Sequence, residues 1–130
     1  MLTEKLRSED RFKAFQDYVE SIPFIYPKVA YPSVFGEGLV GVRATEDILP
    51  NEPILFVPAQ AFITIARARN SSIARIFNAH PALFMRHYDK DYLILTTFII
   101  YEHIKGKESE WYAYLRIMGE ADLPYHWSPE

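Results

Sequence analysis

The chain has 130 residues, of which 49% are apolar types and 15% aromatic, enough for one ordinary domain with a real core and no room for a second full one. That composition excludes a disordered tail and a stapled mini-protein, and a balance of 14 Lys and Arg against 17 Asp and Glu, net -3, supplies no sequence-wide pull toward nucleic acid or an anionic membrane. Zero cysteines remove disulfides, thiolate zinc sites and cysteine nucleophiles together, and suit a reducing intracellular compartment, cytoplasmic or nuclear.

The opening residues mix Glu4, Lys5, Arg7, Glu9 and Asp10 with no apolar stretch, so no secretory signal is read there. Ser8 followed by Glu9 and Asp10 predicts a helix start, with the Ser8 hydroxyl as cap and the acids at the positive end of the helix dipole. Phe12, Phe15, Val19 and Ile22 then fall on one helical face, which predicts a helix over 9–21 that stops before Pro23. Residues 1–24 are assigned to this amino-terminal helix.

After a Pro-punctuated segment the pattern changes to short β-type runs at 39–44, 53–57 and 62–64. The first two, separated by 46–52 with its Pro50-Asn51 turn chemistry, are expected to pair as antiparallel strands. Helical composition returns from Ala66, with Ile65, Ile73, Ile76 and Phe77 on one face, an interruption at Asn70-Ser71-Ser72, and a break at Pro81. Asp89 or Asp91 caps the next predicted helix, apolar almost all round over 92–101 and stopped by Gly106, which makes it the expected buried centre. This stretch is ten residues long, well short of the roughly 20 needed to cross a bilayer. A last helix is predicted over 109–118, with Trp111, Tyr114, Leu115 and Met118 at helical spacing, followed by a Pro-containing aromatic tail over 122–130. The fold class read from these elements is α+β.

His80, His87, His103 and His126 never take the i, i+4 spacing of a zinc helix, so no metal site is read. The carboxylate pairs Asp89/Asp91 and Glu108/Glu110 each sit at a predicted helix start, where capping accounts for them without acid–base chemistry. Neither a Gly-x-Ser-x-Gly elbow nor a phosphate loop occurs, against a serine hydrolase or P-loop enzyme. The segment Phe35-Gly36-Glu37-Gly38-Leu39-Val40-Gly41-Val42 places three glycines in six residues at a strand entrance. Lacking Cβ atoms, such a stretch either forms a turn or bulge opening a hairpin, or lets the backbone approach a ligand closely. No helix follows it, so the dinucleotide-binding fingerprint fails on context.

Gly38-Leu39-Val40-Gly41-Val42-Arg43-Ala44-Thr45-Glu46-Asp47-Ile48, then Asn51-Glu52-Pro53-Ile54-Leu55-Phe56-Val57-Pro58 and Ile63-Thr64, resembles the opening of the SET methyltransferase domain. The subgroup it is most similar to contains the Rubisco large-subunit methyltransferase and the actin-histidine methyltransferase. A second block agrees: the apolar run 93–104, Gly106, Ser109, Trp111, Tyr114 and Leu115, and then Leu123-Pro124-Tyr125-His126-Trp127-Ser128, with Ala113 where the family usually has proline. The resemblance covers about residues 25–130, the amino-terminal half of that domain and the start of its inserted helical region.

The resemblance implies S-adenosylmethionine-dependent methyl transfer to a protein side chain, usually lysine, with a protein substrate or partner chain. It also implies a glycine-rich strand start that meets the cofactor through its backbone. Anchored on Asp47-Ile48, the contact region falls on Gly38, Leu39, Val40 and Gly41; anchored on Gly36-x-Gly38, it moves back to Glu37. The family's Arg-x-x-Asn-His segment and its channel tyrosine belong to a second half not found in these residues, and the mimic at Arg75-Ile76-Phe77-Asn78-Ala79-His80 has one residue too many between Asn and His. A segment with one wall of the site is expected to be inactive alone, and to be completed by more chain or by a partner. The alternative is a degenerate SET half kept as an interaction or structural subunit.

Overall fold

The computed structural model describes residues 2–119, so the expected aromatic tail and the second family block's Leu123 to Ser128 lie outside the described residues. Two helices open the chain, α1 (Leu2–Arg7) and α2 (Asp10–Ser21), where a single helix was expected. Ser8 does not cap α2. Its hydroxyl donates back to the Lys5 carbonyl at 2.6 Å and closes α1, because a serine side chain reaches the preceding turn as readily as the following one. Glu9 takes the cap position in extended conformation, its carboxylate held by Arg11 at 2.8 Å instead of by the helix amides. Phe12 and Val19 on α2 are buried as expected. Phe15 meets the Tyr31 and Tyr114 rings at 5.9 and 6.4 Å, and so ties the helix to two later segments of the chain.

The sheet is antiparallel and two-stranded, with β1 (Val29–Val34) paired to β2 (Val40–Ala44) in the register Val34↔Val40, Ser33↔Gly41, Ala30↔Arg43 and Val29↔Ala44. The expected strand at 39–44 is therefore present, but its partner precedes it. The turn around Gly36 joins β1 to β2 with a shorter closure than the 46–52 loop would need. Residues 53–57 form no strand and touch the rest of the backbone at a single bridge, Ile25 to Phe56, at 3.2 and 2.8 Å. Pro53 and Pro58 flank this segment and offer no N–H to a ladder. Nor is 62–64 a strand; Thr64 instead caps α3 (Ile65–Arg69), its hydroxyl accepting from the Arg67 amide at 3.2 Å.

Asn70 ends α3, and α4 (Ala74–Ala79) and α5 (Pro81–Phe84) follow, Pro81 breaking one helix and opening the next. The long helix α6 (Lys90–Lys105) stops at Gly106, whose φ of 58° is the left-handed conformation glycine tolerates. Asp89 does not cap it with its side chain; the His87 ring nitrogen meets the Asp89 amide at 3.1 Å, and Asp91 already lies within the first turn. Nor is α6 buried all round. Ile94, Phe98 and Glu102 form a buried stripe at four-residue spacing, whereas Tyr92, Ile100 and Ile104 face outward. The final helix, α7 (Tyr112–Ile117), is shorter than predicted because Ser109 is spent on the Glu102 carboxylate at 2.7 Å and on the Trp111 amide at 3.2 Å.

Helices α3 to α7 close one core of Ala68, Ile73, Phe77, Phe84, Ile94, Phe98, Trp111 and Leu115. Within it the Phe98 and Trp111 rings meet edge to face at 5.6 Å. Among the described residues no helix is long and apolar enough to cross a membrane.

Candidate functional site at the hairpin turn

The glycine-rich segment folds as the turn of the β1–β2 hairpin. The Phe35 amide donates to the Leu39 carbonyl at 2.8 Å, the Gly38 amide to the Phe35 carbonyl at 3.2 Å, and the Leu39 amide to the Gly36 carbonyl at 3.4 Å. Closing so few residues requires two successive left-handed conformations, at Glu37 (φ 61°) and Gly38 (φ 85°). Glycine accepts this at position 38 without cost, while Glu37 carries it with a side chain.

The turn projects into open space. A Cβ built on Gly36 or Gly38 meets nothing within 4 Å, and Leu39 is 71% exposed. Glu37, Gly38, Leu39 and Val40 are all exposed, and Gly41 is half-buried. The five predicted site residues, consecutive in the chain, thus run from the turn into β2 with four of them exposed. Glu37 is the single titratable side chain among them, so this strip can bind and orient; it holds no nucleophile and base in partnership.

Gly41 differs from the other two glycines. An added Cβ would lie 3.3 Å from Phe35 Cε2, so the glycine makes room for the aromatic ring beside the strand. Sequence reasoning passed over Phe35, though its position next to the glycines was a usable signal. Alternation along β2 sends Val40 and Val42 to the opposite face. There Val42, Leu55, Phe24, Tyr31, Tyr114 and Ile117 line an apolar cavity of about 310 Å³. Burial pushes the Tyr31 hydroxyl above its usual value of 10.0, with the Arg11 guanidinium opposing.

Behind the hairpin, the loop carrying Asp47-Ile48 is clamped by Lys28. Its ammonium reaches the Glu52 carboxylate at 2.7 Å and the Asp47 carbonyl at 2.9 Å, while the Thr45 amide donates to the Lys28 carbonyl at 2.9 Å. The Lys28 hydrogen bond, then the Leu49 amide at 2.9 Å, hold the Glu52 carboxyl below its usual value of 4.5. Nothing in the local sequence announces the Lys28–Glu52 pair, whose partners lie 24 positions apart. Among the described residues no group of three His, Asp or Glu side chains is arranged to hold a metal ion.

Comparison of the chain with protein-family models, with curated proteins and with solved structures finds no match.

Proposed function

We propose that this chain supplies one flank of the S-adenosylmethionine site in a protein N-methyltransferase of SET type, acting on lysine, and does not catalyse transfer alone. Glu37, Gly38, Leu39, Val40 and Gly41 are the residues assigned to the cofactor. One observation carries the reading: the turn leaves Glu37 to Val40 exposed, with open space where side chains would stand on Gly36 and Gly38. A flat adenosyl group needs such close backbone approach, and the Glu37 carboxylate adds a hydrogen-bond acceptor beside it. S-adenosylmethionine, when bound, supplies a methyl group on a positively charged sulfur.

The accessible strip offers a surface on one side only, which is why the described residues fit the cofactor in part. Methyl transfer demands that the accepting nitrogen, the methyl carbon and the sulfur lie nearly in line, and such positioning needs an opposing wall. Further chain or a partner subunit would provide it. An intracellular setting, cytoplasmic or nuclear, agrees with the absence of cysteine.

A second reading, a non-catalytic SET half serving as an interaction or structural subunit, is favoured by a different observation. Val40, Val42, Ile54, Leu55 and Phe56 are all about half or more exposed, a concentration of uncovered apolar side chains on and beside the hairpin. Titration calorimetry with S-adenosylmethionine on the full-length gene product separates the two. Heat that disappears when Gly38 is replaced by valine is expected on the first reading. No heat above the buffer control defeats it and leaves the second.

A further inference from the structure

Charge is segregated along this chain. Residues 53–88 hold four arginines and no acid, while all 17 Asp and Glu and the other ten of the 14 bases lie outside that stretch. An acidic protein of net charge -3 therefore carries a basic region built on α3, α4 and α5. Arg67 is already engaged with Glu110 and the Gln60 carbonyl. Arg75 and Arg86 are exposed and form no ion pair among the described residues. Arg69, also exposed, donates to the Phe84 carbonyl at 3.2 Å, which fixes its guanidinium at the end of α5 beside Met85 and Arg86.

Helix α4 packs against both α3 and α5, and apolar side chains are exposed along the same stretch of chain. Leu83 and Met85 are nearly half exposed, and Tyr88 is 87% exposed with its ring stacked on His87 at 4.5 Å. We propose that this basic stretch, through Arg69, Arg75 and Arg86 together with Leu83, Met85 and Tyr88, docks an acidic segment of a partner protein. The inference stands apart from the cofactor reading, since it uses none of the hairpin residues.

Charge complementarity sets the sign of the partner, and residue type sets its class. Arginine, methionine and tyrosine are the types enriched where proteins meet, and lysine, which is depleted there, is absent from 53–88. A nucleic-acid backbone would gain nothing from Leu83 and Met85, whereas a peptide segment can set apolar side chains against them. A membrane surface calls for a continuous amphipathic face, which helices of six and four residues do not offer.

The test is fluorescence anisotropy of the full chain with a fluorescein-labelled peptide of alternating glutamate and leucine. Binding is expected, weakening as salt rises from about 50 to about 300 mM. It is expected to fall at least about tenfold in the double variant Arg75→Glu, Arg86→Glu, since like charges then oppose the peptide. Both positions are exposed, and circular dichroism checks that the variant folds. Amide-shift mapping on the unmodified chain gives the same answer without a variant, with changes expected at Arg75, Leu83 and Arg86. Absent binding, binding unaffected by the double reversal, shifts confined to other surfaces, or tighter binding of oligothymidylate or phosphatidylserine vesicles overturns the proposal.

Discussion

The Arg67 guanidinium lies 4.3 Å above the Trp111 ring, and the Trp111 indole N–H donates to the Ala61 carbonyl at 3.0 Å. One residue at the entrance to α7 thereby fastens α3 on one side and the turn before it on the other. Trp111 is 2% exposed, so Trp111→Ala leaves a large cavity and is expected to cost about 3–5 kcal/mol in urea unfolding. Arg67→Ala removes the contact with the ring together with the partly exposed bonds to Glu110 and the Gln60 carbonyl, and is expected to cost about 1–2 kcal/mol. Equal losses from the two substitutions would show that the cation, not burial, dominates here.

Glu102 tests a different force. Its carboxylate is 2% exposed and is held by the Ser109 hydroxyl at 2.7 Å and by the Lys105 ammonium at 3.0 Å to each oxygen. Removing the cation alone strands a buried charge, so Lys105→Met is expected to destabilise by about 3 kcal/mol. Glu102→Gln keeps the serine partner and buries no charge, and should cost less. Chemical denaturation of the two variants gives the order directly, and the reverse order would exclude an ion pair as the dominant interaction.

These two residues also show which features were legible in the sequence. Trp111 and Leu115 were legible because a helical period marks them as core, and both are buried. Glu102 was not, because it looked like the polar end of an apolar helix, and its partner Ser109 lies beyond the Gly106 stop. The α+β class, the strand after the glycines, the long helix and its stop were all visible as local patterns. Strand pairing was not: β1 is interrupted by Pro32 and reads as loop, whereas 53–57 has the composition of a strand yet bonds through one bridge only. For the candidate site, the position of the glycines was legible and its surroundings were not. The Phe35 ring against Gly41 and the Lys28–Glu52 clamp arise from pairing that no short window contains.

The Lys28–Glu52 clamp predicts a response to acid. Hydrogen bonds from Lys28 and from the Leu49 amide favour the charged form, so the folded carboxyl titrates below its unfolded value of 4.5. The stabilisation is therefore fully present above pH 4.5 and is lost as pH falls through the lower, folded value. Carbon-detected NMR should show the Glu52 carboxyl titrating below 4.5, with the Leu49 amide shifting in parallel. Glu52→Gln should abolish the Leu49 response, and a Glu52 titration at or above 4.5 would contradict the clamp.

The hairpin turn predicts that its two outer glycines are unequal. Gly38 has φ 85°, a conformation that costs an L residue about 1–2 kcal/mol, so Gly38→Ala should lower stability by about 1 kcal/mol. Gly36 does not have positive φ and has open space where a Cβ would stand, so Gly36→Ala should change stability by less than about 0.5 kcal/mol. Thermal unfolding of the two variants decides the matter, and a Gly36 substitution as damaging as that at Gly38 would mean that something packs over the turn.

The apolar surface beside the hairpin makes the last prediction. Val42 and Leu55 are 59% and 54% exposed, while both line the same cavity with Tyr31 and Tyr114. Side chains this exposed contribute little to the folded chain by itself, since most of their surface is never withdrawn from water. Uncovered, they favour association with any apolar face they meet, including another copy. Val42→Lys with Leu55→Lys should therefore reduce self-association in sedimentation velocity while leaving the unfolding midpoint within a few degrees of the parent. A large fall in the midpoint would show instead that these two residues hold the hairpin onto α2 and α7, and that the cavity beneath them is a structural seam and not a surface awaiting a neighbour.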